Sequence, residues 1–511
     1  MKFSPLLKLD SRSLGLFRIL LGFTLALDLI IYKIPNIEIF YSESGVLPLD
    51  LFFRVADFDH HNFYKVGLLS LINSPLFLVQ LFFCVSLLSA VLLMIGYRTK
   101  LFCIIAFICL WSIHQRNPLV ISGHDNILIC LLFWSMFLPL GRSLSLDFFS
   151  KKTISPTISG LPVLAILAQV SVIYFVNAYT KNGVTWQNGQ AISYALQEVY
   201  WAKSPAQWLL QFPGFCNFST HAIRFYEYGV PLLIFFPFYN SFTRLFFSVS
   251  IVIFHLFIFV FLDVGLFHFT GLMIAVLLLP PLVWEKMRLF IFINEWFEKR
   301  KVLRNTIAIE EEIIQKSDKK KTKKAKNISS GLPAAERFLV WKRDVVLLPF
   351  FLLIILINGF KFSFVNESIS KPEFLKHLEA SSLFLQDWNM YAPDPSSTHG
   401  WIRIEGITAE SSIDINTKKP FREMINSKDN LPYKNFPWQN FIYRTCIYTN
   451  PFSKVYQHNL AVHEMKKWNE NNPDNKLEKL KIWGFYQAVS AIPDSEPVVI
   501  SLLTEVDSDD K

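Results

Sequence analysis

The stretch HDNILICLLFWSMFLPLGR (His124–Arg142) decides the class of this fold. Between the His124–Asp125 pair at its start and Arg142 at its end there is no charged side chain. At about 1.5 Å of helical rise per residue, such a run approaches the ~30 Å of a bilayer's hydrocarbon. Alone it would pass for a buried core helix. Similar runs recur at approximately 13–33, 75–97, 100–116, 158–180, 219–239, 243–262, 264–285 and 344–361, giving about nine expected spans. The 511-residue chain is 52% hydrophobic and only 18% charged, whereas soluble chains carry about a quarter charged residues. Its 50 Phe crowd into these runs, as on a lipid-facing surface. The expectation is a polytopic α-helical membrane protein.

Basic residues then orient the spans. Lys2, Lys8 and Arg12 precede the first. Arg98 and Lys100, then Arg142, Lys151 and Lys152, then Arg244, then Lys299–Arg304 with Lys319–Lys326 mark every second loop after it. This alternation puts the N-terminus in the cytoplasm and everything after the last span outside. The formal charge of +9 therefore flanks membrane segments and does not build a face for nucleic acid. The first apolar run, Leu14 to about Ile34, is too long for a signal-peptide h-region and has no small-residue cleavage site. It is read as a permanent span.

Residues 1–295 are thus expected to form a helical membrane domain, 296–343 a basic cytoplasmic linker, 344–361 the last span and 362–511 an extracytoplasmic domain. KSDKKKTKKAKNISSG (Lys316–Gly331) lacks an apolar period and reads as a solvated linker or as a patch for anionic lipid. In the C-terminal part, WIRIEGI (Trp401–Ile407) and EPVVISLLTEV (Glu496–Val506) read as strands. KVYQHNLAVHEMKKWNE (Lys454–Glu470) reads as an amphipathic helix, making a small α+β or β-rich domain. No C-x-x-C or Cys/His metal spacing appears. Cys216 and Cys446 both fall outside and are the candidates for a disulfide.

Ionisable groups in spans are costly, so their placement is informative. Asp28, His124, Asp125, Lys181, His221, Arg224, Glu227, His255, Asp263 and His268 all fall toward the outer leaflet, which points to a polar cavity opening outward. Arg18 is the exception, and shares a face with Gly15 and Gly22 that reads as close helix packing with one tethering contact. Arg224 and Glu227, three apart, are able to neutralise each other. Lys181 lies where a span ends, in YFVNAYTKNGVTWQNGQAISYAL (Tyr174–Leu196). Beside an apolar wall a lysine loses its proton more readily and becomes a base. The alternative is an interfacial lysine that snorkels, with Trp186 as a belt anchor.

SLGLFRILLGFTLALDL (Ser13–Leu29), GYRTKLF (Gly96–Phe102), HQRNPLVISGHDNILICLLFWSMFLPLGRSLSLD (His114–Asp147), FHLFIFVFLDVGLF (Phe254–Phe267) and QDWNMYAPDP (Gln386–Pro395) together resemble one family, the horizontally transferred transmembrane (HTTM) domain. Its superfamily includes the vitamin K-dependent gamma-glutamyl carboxylase, and the last motif resembles the bacterial branch. The resemblance implies a carboxylase-like membrane enzyme, of the lyase class, in a bacterial plasma membrane. It implies Lys181 as the base that activates reduced vitamin K or menaquinol, assisted by His124 and His255. Trp186, Arg224 and Glu227 are then the expected pocket residues, a protein glutamate the substrate, and membrane lipids the surroundings. The rival readings are a non-catalytic lipophile-binding or membrane-assembly protein on the same fold, and a transporter. The transporter would want paired internal repeats, which the sequence lacks.

Overall fold

A computed structural model describes residues 7–58, 67–72, 76–147, 157–287, 334–361, 372–380, 386, 388–424, 428, 431–448, 450–490 and 496–508. Its membrane part is built from α1 (Ser11–Asp28), α2 (Leu76–Ile95), α3 (Thr99–Arg116), α4 (Gly123–Ser135), α5 (Leu161–Thr180), α6 (Pro213–Phe235), α7 (Asn240–Phe261), α8 (Phe267–Leu277) and α9 (Ala334–Gly359). All nine expected segments overlap helices. Among the described residues, four helices are long and apolar enough to cross a membrane: Ser11–Tyr41, Leu76–Ile95, Leu161–Thr180 and Asn240–Phe261. Others are shorter, such as α8, or long but less apolar or more charged, such as α6 and α9. The stretch expected at 264–285 is α8 followed, after a break at Pro280, by a second helix at Pro281–Lys286. The last helix begins at Ala334 rather than at 344, because AAERFLVWKR carries no Pro or Gly to stop it. The basic stretch 316–331 lies outside the described residues.

Large apolar side chains such as Phe77, Phe225, Leu232, Phe246 and Ile253 are exposed, as lipid contact requires. Inside the bundle, helices approach closely at small residues. A methyl on Gly22 would sit 2.7 Å from the Ala90 carbonyl oxygen, so α1 and α2 meet there. The buried Arg18 on the same face donates to the Leu144 carbonyl, which tethers α1 to that loop.

The C-terminal part holds a four-stranded antiparallel sheet in the order β4-β3-β5-β6, made of β3 (Thr398–Ile407), β4 (Ser412–Asp414), β5 (Lys479–Ala488) and β6 (Val498–Asp507). Two short strands, β1 (Lys8–Asp10) and β2 (Thr157–Ser159), pair separately at the other end of the bundle. Helix α10 (Ser453–Asn471) packs on β5 and β6 and buries Tyr456, Leu460 and Met465. The domain is therefore α+β, with Trp401 stacked on Phe485 in its core at 5.5 Å.

This domain is seated on the helix ends that the sequence assigned to one side. Trp438 Nε1 donates to Asn36 Oδ1 at 2.9 Å, just beyond α1, and its ring lies 4.8 Å from that of Phe40. Arg444 donates to the Pro118 carbonyl beyond α3. At the opposite end Arg244 donates to the Lys8 carbonyl at 2.7 Å. The proposed cysteine bridge is absent. Cys216 is free in a small apolar cluster with Leu196, Ala206 and Leu209, and Cys446 is free in the core of the α+β domain, so two separate cores hold the thiols apart.

A buried ion cluster ties the end of α1 to the start of α4. Lys33 Nζ lies 2.6 Å from Asp28 Oδ2 and 2.9 Å from Asp125 Oδ1. Asp125 also closes a capping box with Ser122 at the start of α4, so one carboxylate both starts that helix and fixes it to α1. Lys33→Met strands two carboxylates in an apolar interior and is expected to cost about 3–5 kcal/mol. Thermal unfolding in detergent checks this, and an unchanged midpoint would contradict it.

Candidate functional site

Helix α5 ends at Thr180, and Lys181 is its capping residue. Its side chain turns back into the bundle, with only 4% of the residue exposed, and does not snorkel. Nζ is 2.8 Å from each oxygen of Glu227 on α6. Asn177, one turn earlier on α5, donates to Glu227 Oε1 at 2.8 Å. The ammonium also lies 4.7 Å from the centroid of the Trp186 ring. A buried pair of this kind persists only when its remaining lone pairs are satisfied, which is what Asn177 supplies.

The chain after Lys181 must come very close to the strap at Met390–Pro395. Any side chain at Gly183 would fall on the Asp394 carboxylate. That carboxylate accepts from the backbone nitrogens of Val184 at 3.1 Å and Thr185 at 2.8 Å, and from the Thr185 hydroxyl. Trp186 Nε1 donates to the Tyr391 carbonyl at 2.8 Å, and the Met390 nitrogen donates to Asn177 Oδ1 at 3.1 Å. The two motifs are thus stitched into one wall.

Behind that wall is a cavity of about 400 Å³, in the range of small-molecule sites. Lys181, Glu227, His124, Tyr174 and Trp186 line it, together with Phe254, Phe257 and Ile258 of α7 and Tyr391 and Tyr443 of the C-terminal part. Phe254, Phe257 and Ile258 are half-buried and stand between the cavity and the lipid-facing Ile253, Leu256 and Phe259. His124 is buried, and neither ring nitrogen has a hydrogen-bond partner among the described residues. Buried polar groups without partners are uncommon and mark a place for a ligand or water.

The expected residues do not all converge. Lys181, Glu227, Trp186 and His124 share the cavity. His255 stands behind it, where its Nε2 and Tyr174 Oη share a hydrogen bond of 3.3 Å. Its ring stacks on Phe267 at 4.9 Å and packs so tightly on Gly271 that a methyl there would strike it. Arg224 is not on the lining, and it does not neutralise Glu227. Its guanidinium lies 6.0 Å from the Tyr228 ring centroid, because Lys181 occupies the carboxylate from the neighbouring helix. Sequence reading missed Asn177 and Asp394. The first is signalled by its i, i+4 spacing to Lys181, and the second lay unremarked within the quoted Gln386–Pro395 motif.

What these features define is a helical membrane protein with a buried lysine–carboxylate pair in an apolar cavity, closed by an α+β domain. The HTTM domain profile matches residues 7–284, and the chain belongs to that family, which is related to the vitamin K-dependent carboxylases. No curated protein and no solved structure matches the chain.

Removing one partner of the pair should be worse than removing both. Glu227→Leu leaves an unpaired buried ammonium and is expected to cost about 3–5 kcal/mol, whereas Lys181→Met with Glu227→Leu recovers most of it. Unfolding midpoints of the two variants in detergent decide this. Equal losses would contradict the pairing.

Proposed function

We propose that the protein is a carboxylase-like membrane enzyme that activates a lipophilic quinol, such as reduced vitamin K or menaquinol, beside Lys181. The observation that carries this reading is the Lys181–Glu227 pair, set in the wall of an apolar cavity next to the partnerless His124. The cavity suits such a group in volume, in its mostly apolar walls and in the free ring nitrogens offered to an oxygen. When bound, a reduced naphthoquinol supplies ionisable phenolic oxygens and two electrons.

Lys181 moves the proton. Its Nζ accepts one as Glu227 takes one from it, so the pair gains a single proton and the ammonium stays beside the developing negative charge. The Asn177 amide holds Glu227 in place for this exchange. His124 offers a hydrogen bond to a ligand oxygen, and His255 acts only through Tyr174. Half-buried α7 side chains between cavity and lipid give a lateral path for a lipophile. The basic loops support nine spans with the N-terminus in the cytoplasm. The cavity and C-terminal domain then face the outside of a bacterial plasma membrane, where a protein glutamate is the proposed acceptor.

A second reading is favoured by one feature. Glu227 engages Lys181 through both oxygens, a closed arrangement that also suits a non-catalytic lipophile-binding or membrane-assembly protein. The test uses purified protein in lipid with menaquinol, oxygen, labelled bicarbonate and a glutamate peptide. Wild type is expected to form epoxide, and Lys181→Ala to lose it by at least about 100-fold. Lys181→Arg keeps the ion pair, and hence the unfolding midpoint, but not the activity, because a guanidinium does not release its proton. Bound menaquinol with no epoxide from wild type would leave the lipophile-binding reading.

A further inference from the structure

The cavity holds a second glutamate in a different setting. Glu198 lies between the short helices Ala191–Ala195 and Ser204–Leu209, outside the spanning helices, and is only 5% exposed. It lines the same cavity as Lys181 and Glu227. Glu227 is met by an ammonium and an amide. The Glu198 carboxyl has neither ion-pair nor hydrogen-bond partner among the described residues. The titratable and charged side chains that share its cavity from the C-terminal part are the phenols of Tyr391 and Tyr443, the carboxylate of Asp394, which is held by the Val184 and Thr185 nitrogens, and the guanidinium of Arg444, which is turned to the Pro118 carbonyl. From the membrane helices they are His124, Tyr174, Lys181 and Glu227.

An isolated buried carboxylate is among the costliest groups in a protein, and the usual resolution is to keep the proton. Burial pushes Glu198 up to about 8. Of the three carboxyls that line the cavity, Asp394 is held by the Val184 and Thr185 nitrogens and Glu227 by Lys181. Carboxyls in such different settings take opposite roles: a paired one accepts a proton and an unpaired one offers it.

We propose that Glu198 is a ligand-binding residue whose protonated carboxyl donates a hydrogen bond to an oxygen of the lipophile held in this cavity. This deepens the quinol reading and rests on it for the ligand class, a molecule with a carbonyl or phenolic oxygen on an apolar body. A neutral donor at this point binds such an oxygen without placing a second negative charge near Lys181 and Glu227. It also makes binding pH-dependent with a definite sign. Affinity is full below about pH 8 and falls above it, as the carboxyl loses the proton it donates.

The test uses the full-length protein in nanodiscs with menaquinone-4. Infrared difference spectra of wild type against Glu198→Gln should show a protonated-carboxyl stretch at pH 7 that shifts when menaquinone-4 is added. Glu198→Ala should weaken menaquinone-4 binding about tenfold, the scale of one buried hydrogen bond. Glu198→Gln should bind within about threefold of wild type and lose the decline above pH 8, since an amide still donates. No carboxyl band at pH 7, wild-type affinity in Glu198→Ala, or equal loss in both variants would overturn the proposal. Binding with this pattern but without epoxide would overturn the quinol-activation reading and leave the Glu198 donor standing. Epoxide from a protein whose Glu198→Ala variant binds normally would overturn the donor alone, and no binding by wild type would overturn both.

Discussion

An ammonium and a carboxylate can stay buried in an apolar bundle only where both find each other and little else is left unsatisfied. Lys181 and Glu227 meet that constraint, and much of the surrounding structure follows from it. Helix α5 has to end at Thr180 so that the lysine can turn inward, and α6 has to bring Glu227 level with that end. Asn177 completes the carboxylate, and the Met390–Pro395 strap closes over the chain that leaves the lysine. The α+β domain is therefore part of the site, because it supplies the wall on which Trp186 is held.

Two further polar nodes show the same logic. The Asp28–Lys33–Asp125 cluster locks the C-terminal end of α1 to the N-terminal end of α4, next to His124. Buried Gln386 accepts from Gln169 at 2.9 Å, and from Asn358 at 3.2 Å, joining α5 and α9 to the start of the strap. Each node joins elements that are far apart in the sequence. His124, both of whose ring nitrogens lack a partner among the described residues, and Glu198 differ from these nodes in facing the cavity. Open polar groups that face a cavity are where a ligand is recognised.

Much of this was legible in the sequence, for identifiable reasons. Long runs such as Leu76–Ile95 announce themselves by composition, and the alternation of basic loops sorted helix ends into the two groups that contacts also separate. The ionisable residues gather toward one end of the helices, and Lys181, Glu227 and His124 of that set line the cavity. What could not be read was pairing across helices. Spacing joined Arg224 to Glu227, but the partner came from α5, since helix rotation is set by packing and not by local sequence. His255 looked equivalent to His124, yet Tyr174 stands in front of it. Glu198 carried no motif, and its meaning appears only once the apolar walls around it are known. Span number is less determined by hydropathy than the runs suggest, because α4 and α8 are short and buried.

The central claim is that the cavity beside Lys181 receives a lipophile from the membrane. The most direct measurement is photo-crosslinking with a diazirine-bearing menaquinone in nanodiscs, followed by peptide mapping. The account predicts adducts in Phe254–Leu262 and Met390–Pro395, competed away by unlabelled menaquinone-4. Adducts confined to lipid-facing surfaces such as Phe77–Leu88, unaffected by competitor, would contradict it.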